Sequence, residues 1–281
     1  MNYGLCPLSV VPIRSSAADK SEMVSQLLFG ELVEILEQKG SWWRIRCLWD
    51  NYLGWVDRKQ IAPITPSETH RYESNITYSL EIVQGIMADD FFVPITLGAT
   101  LSDFDGINFF YNNRNCTFSG QVINPAEIRP SGDLLLKIAR RYLHAPYLWG
   151  GRSPLGIDCS GFTQMVFKMM GIALPRDAVQ QVERGRLIDF IEQGQAGDLA
   201  FFENRKGRIT HVGLLLPDGH IIHASGRVRI DRIDHYGIFN EEDQRYTHKL
   251  RVVKRVLSDE DYRPPITREV EVVNKNQVEL F

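Results

Sequence analysis

A short stretch near the middle of the chain most limits the folds available to it. Two glycines in a loop at residues 146–151 lead to the run Asp158-Cys159-Ser160-Gly161-Phe162. Apolar residues then recur at helical spacing, at Phe162, Met165, Val166 and Met169. This pattern predicts a helix that begins at Cys159. A cysteine there meets unpaired backbone N–H groups and the positive end of the helix dipole, which favour the thiolate over the thiol.

Two histidines follow the cysteine, each next to an apolar run that is typical of a strand. His211 belongs to residues 209–214 and His223 to residues 220–225. A cysteine nucleophile, a histidine base and a second polar group that orients the base form the general arrangement of cysteine hydrolases. The sequence therefore predicts that Cys159, His211 and His223 are catalytic.

Other interpretations of these residues have less support. A lone buried cysteine usually acts as a small hydrophobe, and a lone histidine beside a strand is more often a hydrogen-bonded core residue. Cys159, however, lies among Asp158, Ser160 and glycines, a polar and flexible setting that core packing does not favour. A zinc site is the other common use of these residue types, but no Cys-x-x-Cys or His-x-x-x-His spacing occurs near them. We expect no metal and no cofactor.

Length, charge and cysteine usage narrow the class of protein further. A chain of 281 residues is long enough for two or three domains, and a net charge of −3 with scattered Lys and Arg residues does not favour nucleic-acid binding. The four cysteines are far apart in the sequence: Cys6, Cys47, Cys116 and Cys159. A chain of this length buries an adequate core without disulfides. We therefore expect free thiols in a reducing compartment, and a monomer.

Residues 1–16 bear on localisation. They contain no Lys or Arg before Arg14, and Pro7 and Pro12 interrupt their apolar stretch. This segment has neither the pattern of a secretory signal nor that of a membrane span, so we expect a cytoplasmic protein without a membrane span. The alternative is a periplasmic protein from which an N-terminal signal has been removed.

Residues 1–65 are predicted to form a small β-barrel. Strand-like runs occupy residues 8–13, 32–36, 42–46 and 52–56, and glycines or Asp50-Asn51 separate them as in hairpins. The region resembles the bacterial SH3-like domain in four stretches: Val11-Pro12-Ile13-Arg14, Phe29-Gly30-Glu31, Trp42-Trp43-Arg44-Ile45 and Tyr52-Leu53-Gly54-Trp55-Val56. Residues 66–125 carry a weaker set of short runs, and we expect a divergent second SH3-like barrel there.

From residue 126 the pattern changes to helices followed by strands. Ser131 is a good N-cap for a helix over residues 132–142, and the cysteine helix and a short helix over residues 178–184 follow. Strand-like runs then occupy residues 198–202, 211–216, 220–224, 228–230 and 251–257. The predicted fold is multi-domain: two small all-β SH3-like barrels followed by an α+β papain-like cysteine peptidase domain at residues 126–258. Residues 259–281 are expected to be a loosely packed or disordered tail.

Six motifs resemble, in order, those of the NlpC-type cell-wall cysteine peptidases. They are Tyr147-x-Trp149-Gly150-Gly151, Asp158-Cys159-Ser160-Gly161-Phe162, Leu174-Pro175-Arg176, Gly197-Asp198-Leu199, His211-Val212-Gly213 and His223-Ala224-Ser225. With SH3-like barrels in front, the chain is similar to the γ-D-glutamyl-L-diamino-acid endopeptidases, also called dipeptidyl-peptidase VI. The resemblance implies hydrolysis of peptidoglycan stem peptides between γ-D-Glu and the diamino acid, meso-diaminopimelate or L-Lys.

The resemblance also implies a role for each matching catalytic residue. Cys159 is expected to be the nucleophile, and His211 the general base that then protonates the leaving amine. His223 is expected to orient and stabilise His211. The Cys159 backbone N–H and the Tyr147 hydroxyl are expected to donate hydrogen bonds to the oxyanion.

The resemblance further implies substrate contacts from both the first barrel and the peptidase domain. A free L-Ala ammonium requires carboxylates, because a buried unpaired charge is costly. The expected substrate-binding residues are Asp158, Ser160, Glu22, Tyr52, Trp149 and Asp177. Relatives often have Ser directly after the aspartate that corresponds to Asp177, whereas this chain has Ala178. The contact to the diamino acid there consequently lacks a hydroxyl.

We therefore expect a cysteine peptidase that recycles cell-wall peptides with a free N-terminal L-Ala, its partner being the murein peptide itself. One alternative is a secreted hydrolase whose SH3-like barrels anchor it to intact peptidoglycan. Another is a non-catalytic wall-binding scaffold, which the intact cysteine and two histidines argue against.

Overall fold

The computed structural model describes residues 2–88, 91–112 and 114–258. Residues 259–281, for which the sequence predicts a loose tail, lie outside the described residues. Within the described ranges the chain forms two seven-stranded sheets and three smaller ones, together with four α-helices. In these same ranges, no helix combines the length and the apolar character that crossing a membrane requires.

The N-terminal residues form an antiparallel seven-stranded sheet around one core. Its strands are β1 (Asn2–Leu5), β2 (Val10–Arg14), β3 (Met23–Leu28), β4 (Leu32–Lys39), β5 (Trp42–Cys47), β6 (Leu53–Asp57) and β7 (Ala62–Ile64). They lie in the order β3-β2-β6-β5-β4-β1-β7. Val11, Ile13, Ile45 and Val56 alternate with outward residues and are fully buried in this core. Each of the four predicted runs overlaps one of the strands.

The next residues form a helix and two small sheets. The elements are α1 (Pro66–Glu73), β8 (Ile76–Ser79), β9 (Val83–Ala88), β10 (Phe91–Thr96), β11 (Thr100–Ser102), β12 (Asn108–Tyr111), β13 (Arg114–Thr117) and β14 (Val122–Ile123). The sheets have the orders β10-β9-β13-β12 and β11-β8-β14. Phe29 of the first barrel packs into their core, with its ring 4.5 Å from that of Tyr111. The second SH3-like barrel stays a prediction, whereas α1 was not predicted.

The C-terminal part packs helices on an antiparallel sheet. Its elements are α2 (Gly132–Arg140), β15 (Arg152–Ser153), β16 (Gly156–Ile157), α3 (Cys159–Lys168), α4 (Ala178–Gln181), β17 (Arg186–Ile188), β18 (Leu199–Glu203), β19 (Ile209–Leu216), β20 (His220–Ser225), β21 (Arg227–Ile233), β22 (Gly237–Asn240) and β23 (Arg245–Arg255). The sheet order is β17-β23-β18-β19-β20-β21-β22, and β22 also pairs with β23. The fully buried helix α3 packs on β19 and β20.

Several element boundaries differ from those predicted, three of them as follows. The last strand begins at Arg245 rather than residue 251, because β22, which was not predicted, pairs with its first half. Helix α4 ends at Gln181 rather than residue 184. Residues 198–202 are in strand only from Leu199, because the Asp198 backbone N–H donates to the Gln195 carbonyl at 3.0 Å, within a turn.

A buried ion cluster joins the first barrel to the C-terminal part of the chain. Glu31 accepts hydrogen bonds from Arg152 at 2.8 and 2.9 Å and from Lys168 at 2.5 Å. All three side chains are at most 6% exposed. Arg152 also donates to the Gln26 backbone carbonyl. Since Glu31 and Gln26 belong to the barrel, these contacts fix the barrel against β15 and against the C-terminal end of α3, the helix that begins at Cys159.

Candidate active site

Cys159 is the first residue of α3, and Asp158 organises the backbone around it. Asp158 is the N-cap: its Oδ1 accepts from the Gly161 N–H at 2.7 Å, and its Oδ2 accepts from the Gly150 N–H at 2.8 Å. A Cβ on Gly161 would lie 2.3 Å from the Gly151 carbonyl oxygen, so this close approach requires glycine. These contacts bind the glycine loop to the cysteine helix.

The Asp158 carboxylate is also paired with a buried arginine. Arg176 donates to both carboxylate oxygens, at 3.0 and 2.6 Å, and to the Ser160 hydroxyl at 2.9 Å. The Ser160 hydroxyl in turn lies 3.3 Å from Asp158 Oδ1. Although Asp158 and Ser160 line the cleft as predicted, their polar atoms are occupied by Arg176 and by each other. The charge of Asp158 is thus already balanced, which weakens its expected role toward a substrate ammonium.

Two histidines and an aspartate form one hydrogen-bonded line on three adjacent strands. His211 Nε2 lies 2.8 Å from His223 Nδ1, and His223 Nε2 lies 2.9 Å from Asp231 Oδ2. His223 therefore stands where the sequence places the orienting group. Arg229 holds the far end, because its Nη2 donates to Asp231 Oδ1 at 2.8 Å. Burial alone would raise the pKa of Asp231, but hydrogen bonds from His223 and Arg229 lower it overall.

The ring of His211 is also packed against two aromatic side chains, which contact each other as well. His248 of β23 stacks on it, with ring centroids 4.1 Å apart and planes 28° from parallel. Phe202 of β18 lies on it at 5.7 Å. Burial lowers the pKa of His248 to about 4, so this neighbour is neutral at neutral pH. The packing holds the plane of the His211 ring in place.

Among the described residues, no group of His, Cys, Asp and Glu side chains could hold a metal ion.

Burial disfavours the charged forms of both Cys159 and His211. Burial, with a smaller contribution from the charge of Asp158, raises the pKa of the Cys159 thiol to about 12, against hydrogen bonds from the backbone N–H groups of Val212 and Ser160. Burial likewise lowers the pKa of His211 well below its usual range. The expectation of a thiolate at the helix start is therefore wrong for this state, because loss of hydration outweighs the helix dipole. The Val212 contact places the sulfur beside the residue that follows His211.

Tyr147 lies close to the cysteine, as expected for an oxyanion donor. Its backbone N–H donates to the Gly226 carbonyl at 2.9 Å, and it bridges to Ile157. Burial raises the pKa of its phenol to about 12, and the nearby Cys159 and Asp158 add to this effect. The hydroxyl is consequently protonated at neutral pH and able to donate.

A cleft of about 450 Å³ lies beside Cys159, between the first barrel and the peptidase domain. The barrel supplies Glu22 and Tyr52, and the peptidase domain supplies Trp149 and Asp177, four residues that the sequence predicts as substrate contacts. The Trp149 indole N–H donates to Glu22 Oε1 at 2.7 Å. The remaining lining includes Val24, Ala178, Val179, Ile209 and Thr210. The first barrel thus forms part of the cleft wall.

Asp177 lines the cleft next to the barrel residue Tyr52. Burial raises the pKa of the Asp177 carboxyl, and the negative charge of Asp158 acts in the same direction. Arg176 and a hydrogen bond from Tyr52 lower this pKa, but their effect is smaller. Tyr52 and Asp177 therefore face each other across the junction between the two domains. The same residue pair joins the barrel to the N-terminus of α4.

Three residues near the site were not given a role from the sequence: Arg176, Asp231 and His248. The signal for Asp231 was present, because His223 pairs directly with Arg229 across β20 and β21, and Asp231 lies two residues further on the same face. Arg176 belongs to a motif that the sequence analysis identified. No local pattern marks His248, since its contact with His211 depends on strand pairing.

The buried histidines predict that acid destabilises the protein. The pKa values of His211, His223 and His248 lie below the usual 6.5, so the unfolded chain binds more protons and stability falls as the pH drops through 6.5 toward about 4. Replacing His248 by Phe should lessen this slope by up to about 1.4 kcal/mol per pH unit, as measured by urea unfolding at pH 7, 6 and 5. An unaltered slope in H248F would contradict the prediction.

Comparison with known families agrees with this architecture. Residues 144–251 match the NlpC/P60 family, and residues 13–61 match the bacterial dipeptidyl-peptidase Sh3 domain. The chain therefore carries an NlpC/P60 domain and, N-terminal to it, a bacterial dipeptidyl-peptidase SH3 domain.

Its relatives include two bacillary enzymes of similar length. It is 29% identical over 241 residues to the gamma-D-glutamyl-L-lysine dipeptidyl-peptidase of Bacillus cereus, covering 73% of this chain and 68% of that protein. It is also 29% identical over 220 residues to the protein of the same name from Bacillus subtilis, covering 71% of each. The crystal structure of an NlpC/P60 family protein from Bacillus cereus has the same fold, with a TM-score of 0.78 at 21% identity over 91% of this chain and 100% of that one.

Proposed function

We propose that this chain hydrolyses the bond between γ-D-Glu and the diamino acid in peptidoglycan stem peptides whose N-terminal L-Ala is free. The names of the two bacillary relatives support the bond that is cleaved. The requirement for a free amine is supported by one observation: the first barrel places a carboxylate, Glu22, in the wall of the catalytic cleft.

The chemistry begins with the neutral pair of Cys159 and His211. His211 takes the thiol proton as the sulfur attacks the γ-carbonyl carbon, which forms a tetrahedral oxyanion. The Tyr147 hydroxyl and the Cys159 backbone N–H donate hydrogen bonds to that oxyanion. The protonated His211 then gives its proton to the leaving amine of the diamino acid. Water, deprotonated by His211, attacks the resulting thioester and releases L-Ala-γ-D-Glu with the thiol restored.

The charges of the cleft favour a cationic end of the substrate. Three carboxyl groups line it, and Arg176 neutralises one of them, Asp158. Glu22 and Asp177 remain, and none of the described lining residues is Lys or Arg. Glu22 is held by a single hydrogen bond from Trp149, which leaves its other oxygen available. An ammonium group of the substrate therefore meets two carboxylates, and an acylated amine loses this attraction.

Mass spectrometry of the products tests the proposed reaction. The full chain is incubated with L-Ala-γ-D-Glu-L-Lys, with the meso-diaminopimelate analogue, and with N-acetylated forms of both. Release of L-Ala-γ-D-Glu from a free peptide is expected, and acetylation should lower the rate at least about 100-fold, equivalent to about 2.7 kcal/mol. Equal rates on free and acetylated peptides would refute the amine requirement, and cleavage at another bond would refute the assigned reaction.

Glu22→Gln tests the contribution of the barrel. We expect KM for the free tripeptide to rise about tenfold, equivalent to about 1.4 kcal/mol, because the amide keeps the Trp149 hydrogen bond but removes the charge. The rate on the acetylated peptide should not change. Asp19→Asn, an exposed acid outside the cleft lining, serves as the matched control and should leave both substrates unaffected. A normal KM in E22Q would remove Glu22 from the amine site.

The proposal extends to localisation. Stem peptides acquire a free L-Ala amine only after they are cut from the glycan chain, so an enzyme that requires this amine acts on released fragments rather than on the intact wall. A cytoplasmic recycling role is the setting that fits such a substrate. Fractionation of cells that express the full-length gene product tests this part separately.

A further inference from the structure

The hydrogen-bonded line behind Cys159 fixes where the protons of both histidines lie. An ionised carboxylate only accepts hydrogen bonds, so the contact of 2.9 Å between Asp231 Oδ2 and His223 Nε2 requires a proton on that nitrogen. A neutral imidazole carries one N–H, which leaves His223 Nδ1 as an acceptor. The contact of 2.8 Å with His211 Nε2 is then donated by His211. The single proton of neutral His211 is thereby placed on Nε2, and its Nδ1 is left bare.

We propose that Asp231 is a positioning residue that selects, through His223, the tautomer of His211 whose Nδ1 can accept a proton. Asp231 lies two hydrogen bonds away from the base and touches no reacting atom. Without its carboxylate, His223 can instead carry its proton on Nδ1 and donate to His211 Nε2. His211 would then hold its proton on Nδ1, which is the tautomer that cannot act as a base through that nitrogen.

The surroundings of Asp231 suit this role. Arg229 Nη2 donates to Oδ1 at 2.8 Å, and its Nε lies 2.7 Å from Oδ2, so the carboxylate has a fixed orientation. Glu242 holds Arg229 in turn, with a contact of 3.1 Å. Asp231 is only 6% exposed and His223 only 1%, so water does not compete for these hydrogen bonds.

His248 also faces the two imidazoles, but it does not change the assignment of their protons. His248 stacks on His211 and lies in T-shaped contact with His223, at 5.7 Å between ring centroids. Its Nδ1 contacts the Thr247 hydroxyl at 2.9 Å rather than a member of the line. Protons can therefore be assigned along the line from Asp231 alone.

Nitrogen-15 NMR of the full chain, labelled at histidine, tests the tautomer without any substrate. At pH 7.5 we expect His211 and His223 both to show a protonated Nε2 and a bare Nδ1. A His211 ring protonated at Nδ1 in the wild-type protein would overturn the proposal. This readout stands even if the peptide proposed above is not the substrate, so failure of the proposed function and failure of this inference are distinguishable.

Kinetics of variants test the consequence of losing the carboxylate, given that the proposed reaction holds. Asp231→Asn should lower kcat about 10- to 100-fold with KM within about twofold, and should mix the His211 tautomers in the NMR spectrum. Glu241→Gln, which breaks only an ion pair with Arg232 between two exposed side chains, should keep kcat within about twofold. Wild-type kcat together with an unmixed spectrum in D231N would contradict the proposal.

Chemical rescue separates positioning from mere packing. In Asp231→Ala, added formate can restore a carboxylate next to His223 Nε2, and we expect kcat to recover at least about tenfold in a saturable manner, with the Nε2 proton restored in the spectrum. Chloride at equal ionic strength is the control and should not restore activity. Circular dichroism checks that D231A is folded. If formate fails to restore the activity of the folded variant, Asp231 acts through packing alone and the proposal is wrong.

Discussion

Replacing Cys159 by Ala is expected to lower kcat/KM for the free tripeptide at least about 10⁴-fold, because removal of a covalent nucleophile eliminates the thioester route altogether. The substitution removes one sulfur atom from a site that Asp158, Gly150 and Gly161 hold by backbone hydrogen bonds. Substrate binding should therefore persist. Isothermal titration with the free tripeptide should give a Kd within about threefold of the wild-type KM.

A second cysteine offers a matched control for this result. Cys116 is also a buried free thiol, but it lies in β13, in the core that the two small sheets share with residues of the first barrel. Cys116→Ala should leave kcat/KM within about twofold and lower only the stability, by about 1 kcal/mol. If C159A still cleaved the peptide, or if C116A lost activity while folded, the assignment of the nucleophile would be wrong.

Replacing Glu31 by Gln is expected to lower the free energy of unfolding by about 3–5 kcal/mol, because it leaves Arg152 and Lys168 buried without a counter-charge. The melting temperature should fall by roughly 10 °C. Differential scanning calorimetry and urea unfolding of the full chain measure both quantities. Glu37→Gln, which breaks a pair between exposed side chains 3.7 Å apart, should change the free energy of unfolding by less than about 1 kcal/mol.

Acid supplies an independent test of the Glu31 cluster. Burial by itself would raise the pKa of Glu31, but Arg152 and Lys168 overcome it and hold the pKa at about 2, below the usual 4.5. Because the folded-state value is depressed, the stabilisation is fully present above pH 4.5 and is lost as the pH falls from 4.5 toward 2. The gap in stability between wild-type and E31Q should narrow between pH 5 and pH 3. A constant gap would mean that the charge of Glu31 does not stabilise the fold.

Local patterns were sufficient to predict the elements that carry the chemistry. Apolar spacing and the Asp158 cap define α3, and runs of apolar residues define β19 and β20, so Cys159, His211 and His223 could be placed from the sequence. The helix α1 could also have been found, because Thr65 and Glu68 form a capping box that is visible in the sequence. It was missed because its first turn follows directly on a strand-like stretch.

Contacts between distant residues could not be predicted in this way. Arg176 meets Asp158, and Asp231 meets His223, only after strands and loops have been assembled in three dimensions. The thiolate expected at the helix start illustrates the same limit, since the dipole is a local property but burial is set by the whole domain. The first half of β23 was missed because its residues are polar and mostly exposed, and pairing with β22 and β18 makes it a strand.

The hydrogen bond from Trp149 to Glu22 has an evolutionary consequence. The loop that carries Trp149 also carries Gly150, which holds the cap of the cysteine helix, so one short segment is anchored both to the barrel and to the nucleophile. Recombination that exchanged the barrel for an unrelated module would change both the substrate specificity and kcat. We therefore expect the two modules to change together in evolution, although each has its own core.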